Sequence, residues 1–179
     1  VCSSDLVIDT KQNKVIETLI SSLYADAPPG STTNGAALSG DEKALYIANA
    51  DNNCLAVFNV KKPGQSFSLG FIPTGWYPTC VRLVNNKLWV SNGKGFESKA
   101  NPFGPSPLRK REEVIHHGGV TLPGSEVQYI GGLLKGSMSI MDVPSATRLK
   151  EYTAMVYNNS PYTQYRNGAA SKVEAPFRL

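Results

Sequence analysis

Short runs of alternating apolar and polar residues recur along most of the chain, separated by turns rich in Asn, Asp and Gly. Clear examples are ALYIA at 44–48, AVFNV at 56–60 and KLWVS at 87–91. A period of two is typical of β-strands with one buried face. Asn, Asp and Gly adopt the positive φ angles that tight turns need. The pattern therefore predicts an all-β protein of short antiparallel strands joined by hairpins.

The strand-like runs also resemble one another. LVIDT at 6–10, AVFNV at 56–60 and SIMDV at 139–143 are each an apolar run closed by Asp or Asn. The first two are about 50 residues apart, and an insertion separates the second from the third. The other similar segments pair 44–53 with 87–95, and 15–20 with 68–75. Four short antiparallel strands repeating every 40–50 residues or so are the signature of β-propeller blades.

The repeats predict a partial β-propeller of about three four-stranded antiparallel blades. We expect the propeller to occupy residues 7–163, with a long loop insertion at about 93–127 and a linker or disordered tail at 164–179. A closed propeller needs at least four blades. An isolated chain of this length should therefore expose apolar sheet faces and strand edges, and should be marginally stable and prone to aggregate.

One short helix is predicted near the end of the chain, at 145–157. Its apolar residues recur at helical spacing, and they are Leu149, Tyr152, Met155 and Val156. Such spacing places them along one side of a helix, which favours packing against the sheets.

Composition adds modest constraints. The chain has 179 residues, of which 41% are hydrophobic and 18% charged, and its formal net charge is +4. No run approaches the roughly 18 apolar residues of a membrane-spanning helix, so no membrane span is expected. The positive charge permits an anionic partner without requiring one. Nucleic acid is not favoured, because the basic residues are scattered and no aromatic stripe is interleaved with them.

The cysteines Cys2, Cys54 and Cys80 lack the spacing of a metal site. Cys54 and Cys80 fall in apolar strand-like runs, where a buried free thiol is the usual interpretation. A disulfide between these two residues remains the alternative.

Several longer stretches resemble a known family. ALYIANADNNCLAVFNV at 44–60 is similar to the YVTN-type (YncE-like) repeats of seven-bladed propellers. GFIPTGWYPT, NGKGFESKANPFGP and YIGGLLKGSMSIMD look like the N-terminal propeller of certain bacterial fusion proteins. In those proteins the YncE-like propeller precedes a phosphoesterase of the alkaline phosphatase superfamily. The resemblance covers about residues 7–163.

The resemblance implies an exported protein, periplasmic or extracellular, although the sequence shows no signal peptide. It also implies a C-terminal phosphoesterase domain in the same parent chain as the partner, with divalent metal in that domain. The metal-binding Asp and His clusters and the nucleophilic Thr of such a domain have no counterpart here. His116 and His117 are adjacent, so in a strand they would point to opposite faces. We therefore expect no catalytic residue, metal ligand or cofactor in this chain.

Two functions follow as hypotheses. The first is a non-catalytic propeller segment of a larger exported phosphoesterase, serving as scaffold, substrate gate or partner-contact domain. The alternative is a stand-alone binding propeller that recognises a peptide, glycan or nucleic acid.

The opening residues VCSSDL resemble the translated end of a common sequencing adapter. They precede what reads as the middle of a strand. We therefore expect residues 1–6 to be non-native sequence.

A basic insertion supplies the first candidate site. Its proline-rich stretch KGFESKANPFGPSPLRKREE favours extended structure. Its basic residues would attract an anionic small-molecule substrate, and they are Lys94, Lys99, Arg109, Lys110 and Arg111. The alternative is a solvated loop that docks one domain on another.

Aromatic and amide residues supply the other candidates. Trp76 and Tyr77, just before Pro78, predict either a contact platform in an inter-strand loop or a wedge between blades. Asn92 lies at the end of a strand, beside the insertion. The oxygen-bearing turn residues offer Ca²⁺ ligands or simply turn chemistry, and they are Asn49, Asp51, Asn52 and Asn92.

Overall fold

The computed structural model describes residues 4–24, 31–104, 114–123 and 129–160. Within them the chain forms short antiparallel strands and one C-terminal helix, so the predicted all-β fold with a short C-terminal helix is confirmed. The strands are β1 (Ser4–Asp9), β2 (Lys14–Ile20), β3 (Thr33–Leu38), β4 (Ala44–Asn49), β5 (Cys54–Asn59), β6 (Phe67–Pro73), β7 (Trp76–Val84), β8 (Lys87–Gly95), β9 (Val114–His117), β10 (Val120–Pro123) and β11 (Ser137–Asp142). The helix is α1 (Ala146–Asn158).

The strands form three stacked sheets and a separate hairpin. The first sheet is β1–β2, the central sheet is β3–β4–β5–β6, and the third sheet is β11–β8–β7. β9 and β10 pair only with each other in the described structure. Of the four-stranded sheets that the repeats predict, the central sheet is complete. The described residues give the first sheet two strands and the third sheet three.

The repeat seen in the sequence extends to the backbone. β1–β2 and β5–β6 both contain a register shift, between Val7 and Ile8 in one pair and between Val57 and Phe58 in the other. The shift falls one residue before the closing Asp or Asn in both strands. A bulge bends a strand and increases its local twist. The two hairpins therefore share a local distortion as well as a sequence pattern.

The central sheet is buried on both faces. One face places Tyr46, Leu55 and Val57 against Val81, Leu88 and Val90 of the third sheet. We call this the trailing face, since it points toward the next sheet along the chain. The opposite, leading face packs against the first sheet and the loop that follows it, with contacts among Ile47, Ala56, Phe58, Leu19 and Leu23. Burying a large apolar side chain contributes about 1.5–3 kcal/mol, so these two layers provide most of the stabilisation.

Helix α1 covers the outer edge of the central sheet. Ser145 caps it by accepting the Arg148 N–H at 3.2 Å, which satisfies one of the free donors of the first turn. Leu149 joins the core on the trailing side and Val156 joins the core on the leading side. The predicted helix is confirmed. Of its other predicted apolar contacts, Tyr152 is half-buried and Met155 is exposed.

Thr153 connects the helix to the edge strand β6. Its Oγ1 accepts the Phe71 N–H at 2.9 Å and donates to the Leu149 carbonyl at 2.7 Å. An unpaired N–H in a buried edge is costly, so this bond replaces part of the missing neighbouring strand. Gly70 makes the approach possible, because a Cβ at that position would overlap Thr153 Oγ1.

The insertion contains regular structure that the sequence analysis missed. Instead of loop alone, it holds the β9–β10 hairpin, and a 3-10 turn at Ile130–Gly132 follows it. Gly118 and Gly119 both have positive φ, 55° and 78°, as two-residue hairpin turns require. The Gly-Gly pair between VIHH and VTLP is the sequence feature that could have predicted this hairpin.

The cysteines and the two ends of the chain were the subject of further expectations. Cys54 and Cys80 are free thiols, and burial raises the pKa of Cys54 to about 12. β1 begins at Ser4, inside the segment expected to be non-native. The expected linker at 164–179 lies outside the described residues. The described part of the chain has no helix long and apolar enough to cross a membrane.

The contact at Gly70 predicts a stability change. Gly70→Ala should lower the free energy of unfolding by about 1–3 kcal/mol, because φ is +134° and the new Cβ meets Thr153. Gly64→Ala is the matched control, since φ there is +78° but the new Cβ would lie 3.9 Å from the nearest atom, the Ile16 carbonyl oxygen. Urea unfolding followed by circular dichroism measures both. Equal losses in the two variants would show that the helix contact contributes nothing.

Candidate functional site

One end of the sheets gathers most of the described candidate residues. It consists of the β4–β5 turn, the β6–β7 loop, the last residues of β8 and the C-terminus of α1, and we call it the loop end. Asn53 joins the first two segments, because its carbonyl accepts the Thr74 N–H at 3.0 Å and its Oδ1 accepts the Tyr77 N–H at 2.8 Å. These two bonds fix the position of the first residues of β7, Trp76 and Tyr77, relative to the β4–β5 turn.

Tyr77 and Lys94 form a cation–aromatic pair. The Lys94 Nζ lies 4.6 Å from the centroid of the Tyr77 ring. Tyr77 has a φ of 60°. This positive φ interrupts the strand alternation at Tyr77 and so changes the direction of its side chain. Such contacts contribute about 0.5–1 kcal/mol at partly exposed sites. The pair holds a positive charge at the loop end.

The basic candidates separate in the structure. Lys94 lies on β8 rather than in a loop, and within the described residues it forms no ion pair. Lys99 lies farther into the insertion and pairs with Glu97 at 3.4 Å. Arg109, Lys110 and Arg111 lie outside the described residues. Lys94 is therefore the described basic candidate whose charge is not offset by a carboxylate in these residues.

Asn92 is buried and ties β8 to β11. Its Nδ2 donates to Ser139 Oγ at 2.9 Å and to Ser137 Oγ at 3.2 Å. The Ser139 hydroxyl also accepts the Gly75 N–H at 3.3 Å, which brings the β6–β7 loop into the same network. A Cβ at Gly75 would come within 2.7 Å of Asn92 Nδ2, so the loop needs glycine there. Asn92 is a positioning residue beneath the loop end rather than an exposed contact.

The Ca²⁺ interpretation of the turn residues gains no support. Asn49 Nδ2 donates to the Ser21 carbonyl at 2.5 Å, and Asn52 Nδ2 donates to Ser31 Oγ at 3.0 Å. Asp51 accepts the Thr32 hydroxyl. Among the described residues, His, Cys, Asp and Glu form no cluster of three or more suited to a metal. Turn and strand-end chemistry accounts for these positions.

Trp76 lines a cleft of about 310 Å³ at the loop end. The indole is exposed, and the rest of the wall includes Asn52, Pro73, Val156 and Asn159. The C-terminus of α1 therefore forms one side. An aromatic face beside carboxamide groups can stack on a flat ligand and hydrogen-bond its polar groups. Of the two sequence-based alternatives for Trp76, the exposed platform fits better than a wedge between sheets.

A second cleft of about 460 Å³ lies at the opposite end, and the sequence analysis did not anticipate it. Asp41 on its rim accepts the Ser39 hydroxyl at 2.6 Å and pairs with Lys43 at 3.0 Å. These partners lower the Asp41 pKa to about 2. Burial and the Asp41 charge raise the pKa of Tyr46. Because the rim charges pair with each other, the cleft has little net attraction for ions. The sequence feature that could have indicated this cleft is the polar turn SGDEK at 39–43.

The two histidines point to different environments. They lie in β9, where His116 Nδ1 contacts Thr121 Oγ1 at 2.8 Å and His117 meets the Phe103 ring edge-on at 6.2 Å. Adjacent strand residues alternate between faces. The pair therefore does not converge on one ligand.

Comparisons with known proteins add little. No protein-family model matches the chain, and no curated protein matches it significantly. Among solved structures it is similar to the hydrazine synthase of Kuenenia stuttgartiensis, with 18% identity and a TM-score of 0.40. That match covers 51% of this chain and 23% of the synthase chain. A likeness of this extent identifies neither a family nor a function for the chain.

The buried and exposed links between β8 and β11 give a paired prediction. Asn92→Ala should lower the free energy of unfolding by about 1–3 kcal/mol, because it removes a buried amide that donates to the half-buried Ser137 and Ser139 hydroxyls. Lys87→Ala removes an exposed ion pair to Asp142, 2.5 Å long, and should cost at most about 1 kcal/mol. Urea midpoints measure the two losses, and amide exchange in β11 locates them. A larger loss for Lys87→Ala would contradict the assigned role of Asn92.

Proposed function

We propose that the chain is a non-catalytic β-propeller segment of a larger exported phosphoesterase of the alkaline phosphatase superfamily. In this role it serves as a scaffold and contact domain. The loop end faces the partner domain or its anionic substrate. The partner domain, not this chain, supplies the catalytic residues and the divalent metal.

The stacked, repeated sheets support the scaffold role. Each sheet presents a leading and a trailing apolar face, and the central sheet uses both. A stack of such units is rigid because its layers interlock, and it places its loops in fixed relative positions. This is what a domain that positions another domain's substrate needs.

The loop end supports the contact role, and Lys94 is the observation on which it depends. Its ammonium group is held over Tyr77, without an ion pair among the described residues, close to the start of the insertion. A fixed positive charge at a domain surface attracts anions and raises their local concentration. Phosphoesters are anions, so the charge matches the substrate class that the sequence resemblance implies.

The test uses the complete gene and a chromogenic phosphate ester. Lys94→Gln should raise KM by about 2–5-fold at low salt and leave kcat unchanged, since the charge attracts substrate and does no chemistry. The difference should disappear at about 0.5 M salt, where screening is strong. Lys62→Gln is the matched control, because Lys62 is an exposed lysine in the β5–β6 turn at the opposite end of the sheets.

Two results would oppose the proposal. A complete gene product that hydrolyses no phosphoester removes the proposed parent. Equal KM values for the Lys94 and Lys62 variants at low salt remove the contact role and leave the scaffold alone.

The Trp76 cleft favours a second candidate function, a binding module for glycans. Sugars bind where an aromatic face stacks on the ring and amide groups bond the hydroxyls. The cleft combines the Trp76 indole with Asn52 and Asn159. This candidate needs no partner domain.

Tryptophan fluorescence tests the glycan candidate directly. The chain has two tryptophans, so Trp89→Phe leaves Trp76 as the single reporter. Titration with a panel of neutral oligosaccharides should shift its emission with saturation, and Asn159→Ala should weaken the apparent affinity by about tenfold, roughly one lost hydrogen bond. Unchanged emission across the panel would exclude the candidate.

A further inference from the structure

The cleft at Trp76 has no ionisable side chain on its walls. Its lining comes from the β4–β5 turn, the β6–β7 loop with the start of β7, and the C-terminus of α1. In the part of the chain that the structure describes, no Asp, Glu, Lys, Arg or His belongs to this lining. The electrostatic character of the cleft is therefore set by backbone and amide dipoles.

Helix α1 places the negative end of its dipole at the cleft. A helix of this length, 13 residues, carries about half a negative charge at its C-terminus. The Asn159 N–H donates to the Met155 carbonyl at 2.9 Å. Ser160 satisfies the Tyr157 carbonyl with its N–H at 3.3 Å and its hydroxyl at 3.0 Å. The carbonyl of Val156, a lining residue, accepts no backbone N–H from the described residues and remains an acceptor at this helix end.

The loop side of the cleft also offers mainly acceptors. Asn52 Nδ2 donates to Ser31 Oγ at 3.0 Å, while its Oδ1 receives no hydrogen bond from the described residues. Thr74 uses both of its donors within the protein, the N–H to the Asn53 carbonyl at 3.0 Å and the hydroxyl to the Gly75 carbonyl at 2.9 Å. Oxygen atoms are therefore prominent among the polar groups that a ligand can still use.

Trp76 adds an aromatic face to this acceptor-rich cleft. Its side chain is 41% exposed, so the indole is accessible to a ligand. Trp is the strongest aromatic partner of a cation, and aromatic faces are the usual recognition elements for quaternary ammonium groups. The volume of about 310 Å³ suits a small head group.

We infer that the Trp76 cleft binds an organic ammonium group. The indole face attracts the positive charge, and the helix end and the free oxygens stabilise it. Lys94, held over Tyr77, is not part of this lining and does not occupy the cleft. For sugars, the inference selects those that carry a protonated amine, and this clause alone rests on the glycan candidate.

A matched pair of small probes tests the inference in the 179-residue chain. Tetramethylammonium and tert-butanol have the same number of heavy atoms and similar shapes, but only the first is charged. In amide NMR at constant ionic strength, tetramethylammonium should shift the signals of the Trp76 indole, Val156 and Asn159, with a Kd on the order of 1–10 mM. Binding of tert-butanol should be at least about fivefold weaker.

Two variants assign the binding to the cleft. Trp76→Leu removes the aromatic face and should weaken tetramethylammonium binding at least about fivefold. Trp89→Leu is the matched control, because Trp89 is similarly exposed, at 38%, but does not line the cleft. Asn159→Lys places a positive charge at the helix end and should also weaken binding. A lysine there favours the helix, so this loss does not come from unfolding.

The sugar arm uses oligosaccharides of glucosamine and of N-acetylglucosamine at about pH 6, where the free amine is protonated. The glucosamine series should bind at least about fivefold more tightly. If tetramethylammonium binds and neither sugar does, the ammonium site stands and the glycan candidate fails. If both sugars bind equally and tetramethylammonium does not bind, the glycan candidate stands and the inference fails.

Three further results would overturn the ammonium site. The first is tetramethylammonium binding no more tightly than tert-butanol. The second is unchanged tetramethylammonium binding in Trp76→Leu. The third is an equal loss in Trp89→Leu, which would place the contact outside the cleft. Circular dichroism establishes that each variant is folded.

Discussion

The structure depends on the burial of the central sheet from both sides. Tyr46 and Val57 pack on one face, while Ile47 and Phe58 pack on the other, so neither neighbouring sheet is optional. Burial of the two faces does not pair the backbone groups along the outer edge of β6, because an edge strand has no neighbouring strand on that side. Helix α1 covers that edge. Three of its residues, at positions i, i+4 and i+7, make the contacts. Leu149 packs in the core on the trailing side, Thr153 hydrogen-bonds to the edge of β6, and Val156 packs in the core on the leading side.

The loop end is a consequence of that stack. With the sheets fixed face to face, the β4–β5 turn and the β6–β7 loop meet, and Asn53 bonds both. Asn92 then anchors β11 and the same loop from below through Ser139. Trp76 and Lys94 gain defined positions from this buried amide network, although neither takes part in it. The positions of the Trp76 and Lys94 side chains at the surface therefore depend on the hydrogen bonds of Asn53 and Asn92 beneath them.

The sequence predicted the fold better than it predicted the site. Apolar runs closed by Asn-rich turns marked the strands of the three sheets, although β4 and β5 are buried on both faces rather than on one. They did not mark β9–β10, because VIHH and VTLP contain few alternating positions and only Gly118-Gly119 signals the turn. Helical spacing found α1 but chose Met155, which is exposed, and overlooked Thr153, because a polar edge contact leaves no hydrophobic signal. Asn92 was visible as a strand-end residue, but its partners Ser137 and Ser139 lie across the insertion, which sequence spacing cannot reveal.

The contrast between Tyr46 and Trp89 shows where such patterns stop being informative. Both lie at the same position of the same repeat, and their flanking residues alternate alike, yet one is buried and the other is exposed. Alternation encodes a face that must be covered, because apolar side chains lower the free energy only when water is excluded. It does not encode what covers the face. For inner sheets the next repeat does so within the chain. For the outer faces the same physical requirement persists, and the repeat pattern alone does not say how it is met.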